Sequence, residues 1–85
     1  MTGDTDSILR MLRDIARVTA RAAQDDAAAD ALWRYAEDCR CWGLASDEAA
    51  ARRRSRALRI GALLARGQAA AMRAKLADPD GSLLG

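Results

Sequence analysis

Chemistry in this chain would have to come from carboxylates, two cysteines and an excess of arginine, because it contains no histidine. The commonest general base and metal ligand is therefore missing. Cys39 and Cys41 stand two residues apart. On a helix such positions diverge by about 200°, so one ion could not take both thiolates and the pair could not close a disulfide. Cys39 reads as a small apolar seam residue and Cys41 as an exposed thiol. Asp25 and Asp26 are adjacent, so on a helix they point about 100° apart and form no carboxylate pair. No serine sits in a nucleophile elbow, and no glycine-rich phosphate loop is present. The expectation is a protein that is not an enzyme and uses no metal or cofactor.

Arginine outnumbers lysine thirteen to one, and aspartate outnumbers glutamate ten to two. That bias is the habit of GC-rich bacterial or phage genomes. Its physical consequence is that nearly every cation is a planar fork able to hold carboxylates or phosphates at two points. Arg10, Arg13, Arg17 and Arg21 fall in a narrow helical stripe. Arg52, Arg59, Arg66 and Arg73 recur every seventh residue and read as the most exposed line of a second helix. Arg52, Arg53, Arg54, Arg56 and Arg59 form the densest basic run and are the candidate contacts to nucleic acid. No helix-turn-helix or zinc module accompanies them, and no aromatic residues are interleaved as a stacking platform would need. Residues 47–77 carry a net +6, residues 1–46 a net −2 and the tail from Asp78 another −2. A basic second half can answer an acidic partner, or simply the acidic first half.

The elements that would position these groups are helices. Alanine is the commonest residue, phenylalanine is absent and the strand formers are scarce, so a sheet is not expected. From Ser7 to Trp42 the sequence keeps a heptad. Ile8, Ile15, Ala22, Ala29 and Ala36 share one phase; Met11, Val18, Asp25, Leu32 and Cys39 share the phase three residues later. The phase is kept across Gln24–Asp26. This favours one continuous helix over a break in which Asp25 or Asp26 caps a second helix. Asp25 in the seam reads as a register or oligomer-state determinant, paired with Arg66, Arg21 or its own copy. Asp4, Thr5, Asp6 and Ser7 are candidate N-caps after a frayed start.

Gly43 reads as the left-handed residue that stops the first helix, with Leu44 next and Ser46 as the following N-cap. Asp47 to Ala77 reads as a second helix, stopped at Asp78-Pro79-Asp80-Gly81. Its expected seam is Ala50, Ala57, Leu64 and Ala71 with Ala51, Leu58, Ala65 and Met72. Gly61 and Gly67 each cost ~1 kcal/mol relative to alanine and suggest close approach by another helix. Residues 1–6 and 79–85 are expected to be flexible tails.

The fold expected is all-α. Helices of about 7–42 and 47–77 form a long antiparallel hairpin within one small domain. In that register residue i lies near residue 89 − i, and Glu37, Asp38 and Asp30 approach Arg52, Arg53, Arg56 and Arg59. Leu9, Leu12, Leu63 and Leu76 lie off the main stripe and exceed what one partner helix covers. A homo-oligomeric bundle, a dimer or larger, is the expected remedy.

The segment Ile8–Ala23 could instead lie on an anionic membrane, but its apolar residues continue the downstream seam, so no membrane partner is expected. The N-terminus lacks a basic n-region, no apolar run reaches spanning length and the two cysteines do not make a disulfide framework. A bacterial or phage-infected cytoplasm is the default compartment. The expected function is an oligomeric adaptor, assembly subunit or inhibitor docking on a larger protein. Its interface would use Trp33, Tyr35 and Trp42 with Arg10, Arg13, Arg17, Arg66 and Arg73, since Trp, Tyr and Arg dominate interface hot spots. The alternative is a nucleic-acid-binding regulator or packaging factor using Arg52–Arg59.

Overall fold

The computed structural model describes the chain over residues 2–77, with side chains from Thr5 onward. Two helices account for it: α1 (Thr2–Cys41) and α2 (Ala45–Ala77). No strand occurs among the described residues. The helices contain 40 and 33 residues, about 60 and 50 Å of rise. They pack on each other along their length as an antiparallel hairpin. α1 runs unbroken through Asp25 and Asp26. It also begins at Thr2 rather than near Ser7, so Thr5, Asp6 and Ser7 lie inside it and cap nothing. α2 is described as far as Ala77; the expected stop at 78–81 and the tail beyond lie outside the described residues.

The turn is three residues long because Gly43 closes it. Gly43 adopts φ +74°, a left-handed conformation that glycine takes without steric cost. The Leu44 N–H donates to the Cys39 carbonyl at 2.8 Å and the Gly43 N–H to the Arg40 carbonyl at 3.2 Å. This is the paired bonding of a Schellman stop, which satisfies carbonyls the helix end would otherwise orphan. The Leu44 carbonyl then accepts from the Glu48 N–H at 2.9 Å and opens α2. Leu44 therefore occupies the N-cap place assigned above to Ser46, and Ser46 lies within the first turn. The tight stop leaves no residue to spare for a serine cap. Asp47 and Glu48 still sit in the first turn, where carboxylates suit the positive helix end.

The seam of α1 follows the heptad from Met11 onward, while Ile8, expected in it, is 48% exposed. Ile15, Ala22, Ala29, Ala36 and Cys39 are buried; Met11, Val18, Asp25 and Leu32 are half-buried. In α2 one expected phase holds: Ala51 is buried, and Leu58, Ala65 and Met72 are half-buried. The other does not. Ala50, Ala57, Leu64 and Ala71 are exposed, and their place is taken by Glu48, Ser55, Ala62, Ala69 and Leu76. The helix is thus rotated toward its arginine line. Ser55 can enter the seam because its hydroxyl donates to the Ala29 carbonyl at 2.8 Å, which offsets the cost of burying a polar atom. Cys39 and Ser55 are the largest fully buried side chains. Small side chains at a helix contact favour the short end of the ~8–10 Å range of axis separations.

Candidate protein-interaction surfaces

Because the hairpin is one layer of two helices, the flanks of the seam give two long faces. On one, Arg52, Arg59, Arg66 and Arg73 reach across to α1. Arg59 bonds Asp30 and approaches Asp26 at 3.9 Å. Arg66 pairs with Asp26, and Arg73 donates to Thr19 at 3.2 Å. The line expected to be most exposed is therefore the clasp of the hairpin. Once α2 is rotated, these positions stand beside the seam, opposite the carboxylates of α1. Glu37–Arg52 and Asp30–Arg59 fall on the expected register of residue i with 89 − i; Asp38 has no ion pair among the described residues.

Arg52 is the most engaged of them. It donates to Glu37 at 2.9 Å and to Glu48 at 2.8 Å, and its guanidinium carbon lies 4.4 Å from the centroid of the Trp33 ring. Its side chain is only 18% exposed. The planar fork serves two carboxylates and one ring face together, which an ammonium could not do. The hydrogen bond from Arg52, helped by the charge of Arg40, holds the Glu37 carboxyl below its ordinary pKa. In return the hydrogen bonds to Glu37 and Glu48 raise the Arg52 pKa. The hollow beside this cluster is lined by Ala45, Glu48, Ala49, Arg52, Arg53 and Arg56.

The opposite face carries Tyr35, Ala50 and Arg54 at the turn end. Ser7, Arg10, Asp14 and Lys75 lie at the open end. A hydrogen bond with the Cys39 thiol, together with the nearby charge of Asp47, raises the Tyr35 pKa. Asp25 is half-buried and pairs with Arg21 at 3.4 Å; Arg66 goes to Asp26 instead. A Cβ at Gly61 would meet only the Asp25 Oδ2, at 3.7 Å, and one at Gly67 would meet nothing within 4 Å. The expected close helix approach at these glycines does not occur within the hairpin.

The residues expected to form one interface are not brought together. Trp33 stands on the arginine face, Tyr35 on the other, and Trp42 projects from the turn at 66% exposure. Arg10, Arg13 and Arg17 lie about 35 Å away along α1. Arg66 and Arg73 are occupied within the hairpin. Of the expected nucleic-acid set, Arg52 and Arg59 are tied to carboxylates. Arg53, Arg54 and Arg56 have no ion pair among the described residues, and on a helix they diverge by up to about 160°.

Sequence reasoning set Leu63 off the seam but placed Leu64 in it and passed over Ile60; the three form a solvent-facing cluster on α2 between 58 and 71% exposed. The signal was available: setting the Arg heptad opposite Asp26, Asp30 and Glu37 turns these three outward. Cys39 is buried and Cys41 exposed, both free. No group of metal-ligating side chains occurs among the described residues. No described helix is long and apolar enough to cross a membrane. The chain matches no known family, no curated protein and no solved structure.

Proposed function

We propose that this chain is a non-enzymatic helical interaction protein, an oligomeric adaptor, assembly subunit or inhibitor that docks on a larger protein. The observation that carries the reading is the exposed apolar surface. Ten large apolar or aromatic side chains are 42–71% exposed on a hairpin whose own core, Ile15 apart, is alanine, cysteine and serine. Apolar surface beyond scattered single residues marks interaction sites. Trp33, Tyr35, Trp42 and Leu44 surround the turn end, and Arg52 holds the Trp33 ring in place before any partner arrives. An anchor already ordered loses less entropy on docking.

Affinity purification from the native host tests this with three baits: wild type, a Trp33→Ala/Trp42→Ala double variant and Arg34→Ala. A partner kept by wild type and Arg34→Ala but lost by the double variant supports the reading. Equal recovery by all three refutes a turn-end docking site.

A second reading, a nucleic-acid-binding regulator or packaging factor, draws on the three unpaired arginines Arg53, Arg54 and Arg56. It ranks below the first because their side chains share no single stripe. Mobility shift across a salt series decides it: absence of binding at the lowest salt rejects it.

A further inference from the structure

The face opposite the arginine clasp is unpartnered, and its charges sort by position. Its middle carries no unpaired charge: Ala28, Ala31, Tyr35, Ala57 and Leu64 are exposed there, and Arg17 and Arg21, toward the open end, are paired with Asp14 and Asp25 of their own helix. Leu64 stands 71% exposed. Toward the turn lie Asp38 and Asp47, toward the open end Arg10 and Lys75. None of these four has an ion pair among the described residues, whereas Asp14, Asp25, Asp26, Asp30, Glu37 and Glu48 all do. Arg54 near the turn still leaves that end net negative. On this face, then, the unpaired carboxylates Asp38 and Asp47 lie toward the turn and the unpaired cations Arg10 and Lys75 toward the open end, with Arg54 the one unpaired cation at the turn end.

We propose that this face binds a second copy of the chain, antiparallel, about a two-fold axis lying in the contact plane across the middle of the hairpin. Charge complementarity selects this occupant and this orientation. Turn over open end sets Asp38 above Arg10 of the copy and Asp47 above Lys75 of the copy. Turn over turn would oppose aspartate to aspartate. Pairing Asp47 with Lys75 of the copy centres the axis on Gly61 of α2, so the two Gly61 meet there and each Leu64 stands about one turn away. This gives Gly61 a use the hairpin does not, since an alanine there would make only ordinary contact with Asp25. A face about 50 Å long and two helix diameters, roughly 20 Å, wide exceeds the ~800 Å² per partner of a standard interface. The product is a four-helix bundle with the arginine clasps outward.

This inference specifies the oligomer within the proposed reading and rests on that reading for nothing else, because mass is measured without any outside partner. Light scattering and sedimentation from ~5 to ~200 µM are expected to give twice the 9.1 kDa chain mass. Leu64→Arg is expected to be monomeric with unchanged helical circular dichroism, because the side chain it replaces is not packed in the hairpin. Asp38→Lys/Asp47→Lys is expected to weaken the dimer at least tenfold. Adding Arg10→Glu/Lys75→Glu restores it if the copies run antiparallel. A monomeric wild type, or a dimer indifferent to Leu64→Arg, overturns the proposal; failure of the charge swap to restore the dimer overturns the orientation.

Discussion

Replacing Ser55 by leucine sets two physical effects against each other, and their signs differ. Ser55 is fully buried, with its hydroxyl on the Ala29 carbonyl at 2.8 Å. If burial of apolar area governed this seam, leucine would stabilise it by ~1.5–3 kcal/mol. Around the site, however, Ala29, Ala36, Ala51 and Ala62 are each no more than 5% exposed. Helices held this close by small residues leave no volume for an isobutyl group. Overpacking costs ~1–3 kcal/mol, and the lost hydrogen bond adds about 1 kcal/mol. The Ala29 carbonyl keeps its own helical bond, so no further penalty arises from a stranded acceptor. Ser55→Leu is therefore expected to destabilise by ~2–4 kcal/mol. Ser55→Ala loses the same bond but regains up to ~0.7 kcal/mol in helix propensity, a net loss of under ~1 kcal/mol.

Urea unfolding followed by helical circular dichroism reads both variants, at two protein concentrations so that association is separated from folding. A midpoint that rises in Ser55→Leu refutes the close-packed seam, and with it the argument that alanine and serine set the helix spacing.

Gly43→Ala forces an L side chain to φ +74° with nothing to clash against, so its cost is the left-handed conformation alone, ~1 kcal/mol. The melting temperature should fall by ~4–8 °C, and less for Gly43→Asn; no change would mean the turn is not held left-handed. For Glu37 the folded pKa is lowered. The stabilisation it contributes is therefore complete above the unfolded value of ~4.3 and lost as pH falls through the lower folded value. Glu37→Gln should flatten the acid limb below about pH 4.3, and identical limbs in wild type and variant would exclude the Arg52 pairing as its cause. One thiol, Cys41, should react at once with Ellman's reagent in the native protein and Cys39 only in denaturant; two fast equivalents would contradict the buried position of Cys39.

The fold was legible where one physical signal stood alone. In α1 the small and aliphatic residues repeat every seven positions with no rival phase, and the seam forms there. Gly43 was legible because a left-handed stop beside Leu44 has few alternatives. α2 was misread because three neighbouring phases are rich in alanine, and hydropathy does not rank an alanine phase against one containing Ser55 and Glu48. What ranks them is long range: Ser55 must meet a carbonyl of α1, and Arg52 must meet Glu37. The interface residues were chosen by type, because Trp, Tyr and Arg are frequent at hot spots. Type carries no information on which face a residue occupies. Hence Trp33 and Tyr35, two residues apart, fall on opposite faces of the hairpin.

The turn is what makes the arginine heptad mean anything. A three-residue Schellman turn leaves one register open to the hairpin, with Arg52 opposite Glu37. Two turns further along each helix the same register sets Arg59 opposite Asp30. Further still the arginines reach one turn back toward the hairpin end, Arg66 to Asp26 and Arg73 to Thr19, three residues off that register. A small-residue seam then brings the backbones near enough for each guanidinium to reach across, and only side chains of that length could. Pairing along this face removes acid after acid from the count, so the charges free to meet another molecule differ from those the composition suggests. A net +6 on residues 47–77 reads as a nucleic-acid patch. Much of it is a zipper; Arg53 and Arg56 stay unpaired off that face, and the unpaired charges at the two ends of the opposite face nearly balance. Such a remainder suits a surface of similar composition, which is the property a second copy has by construction.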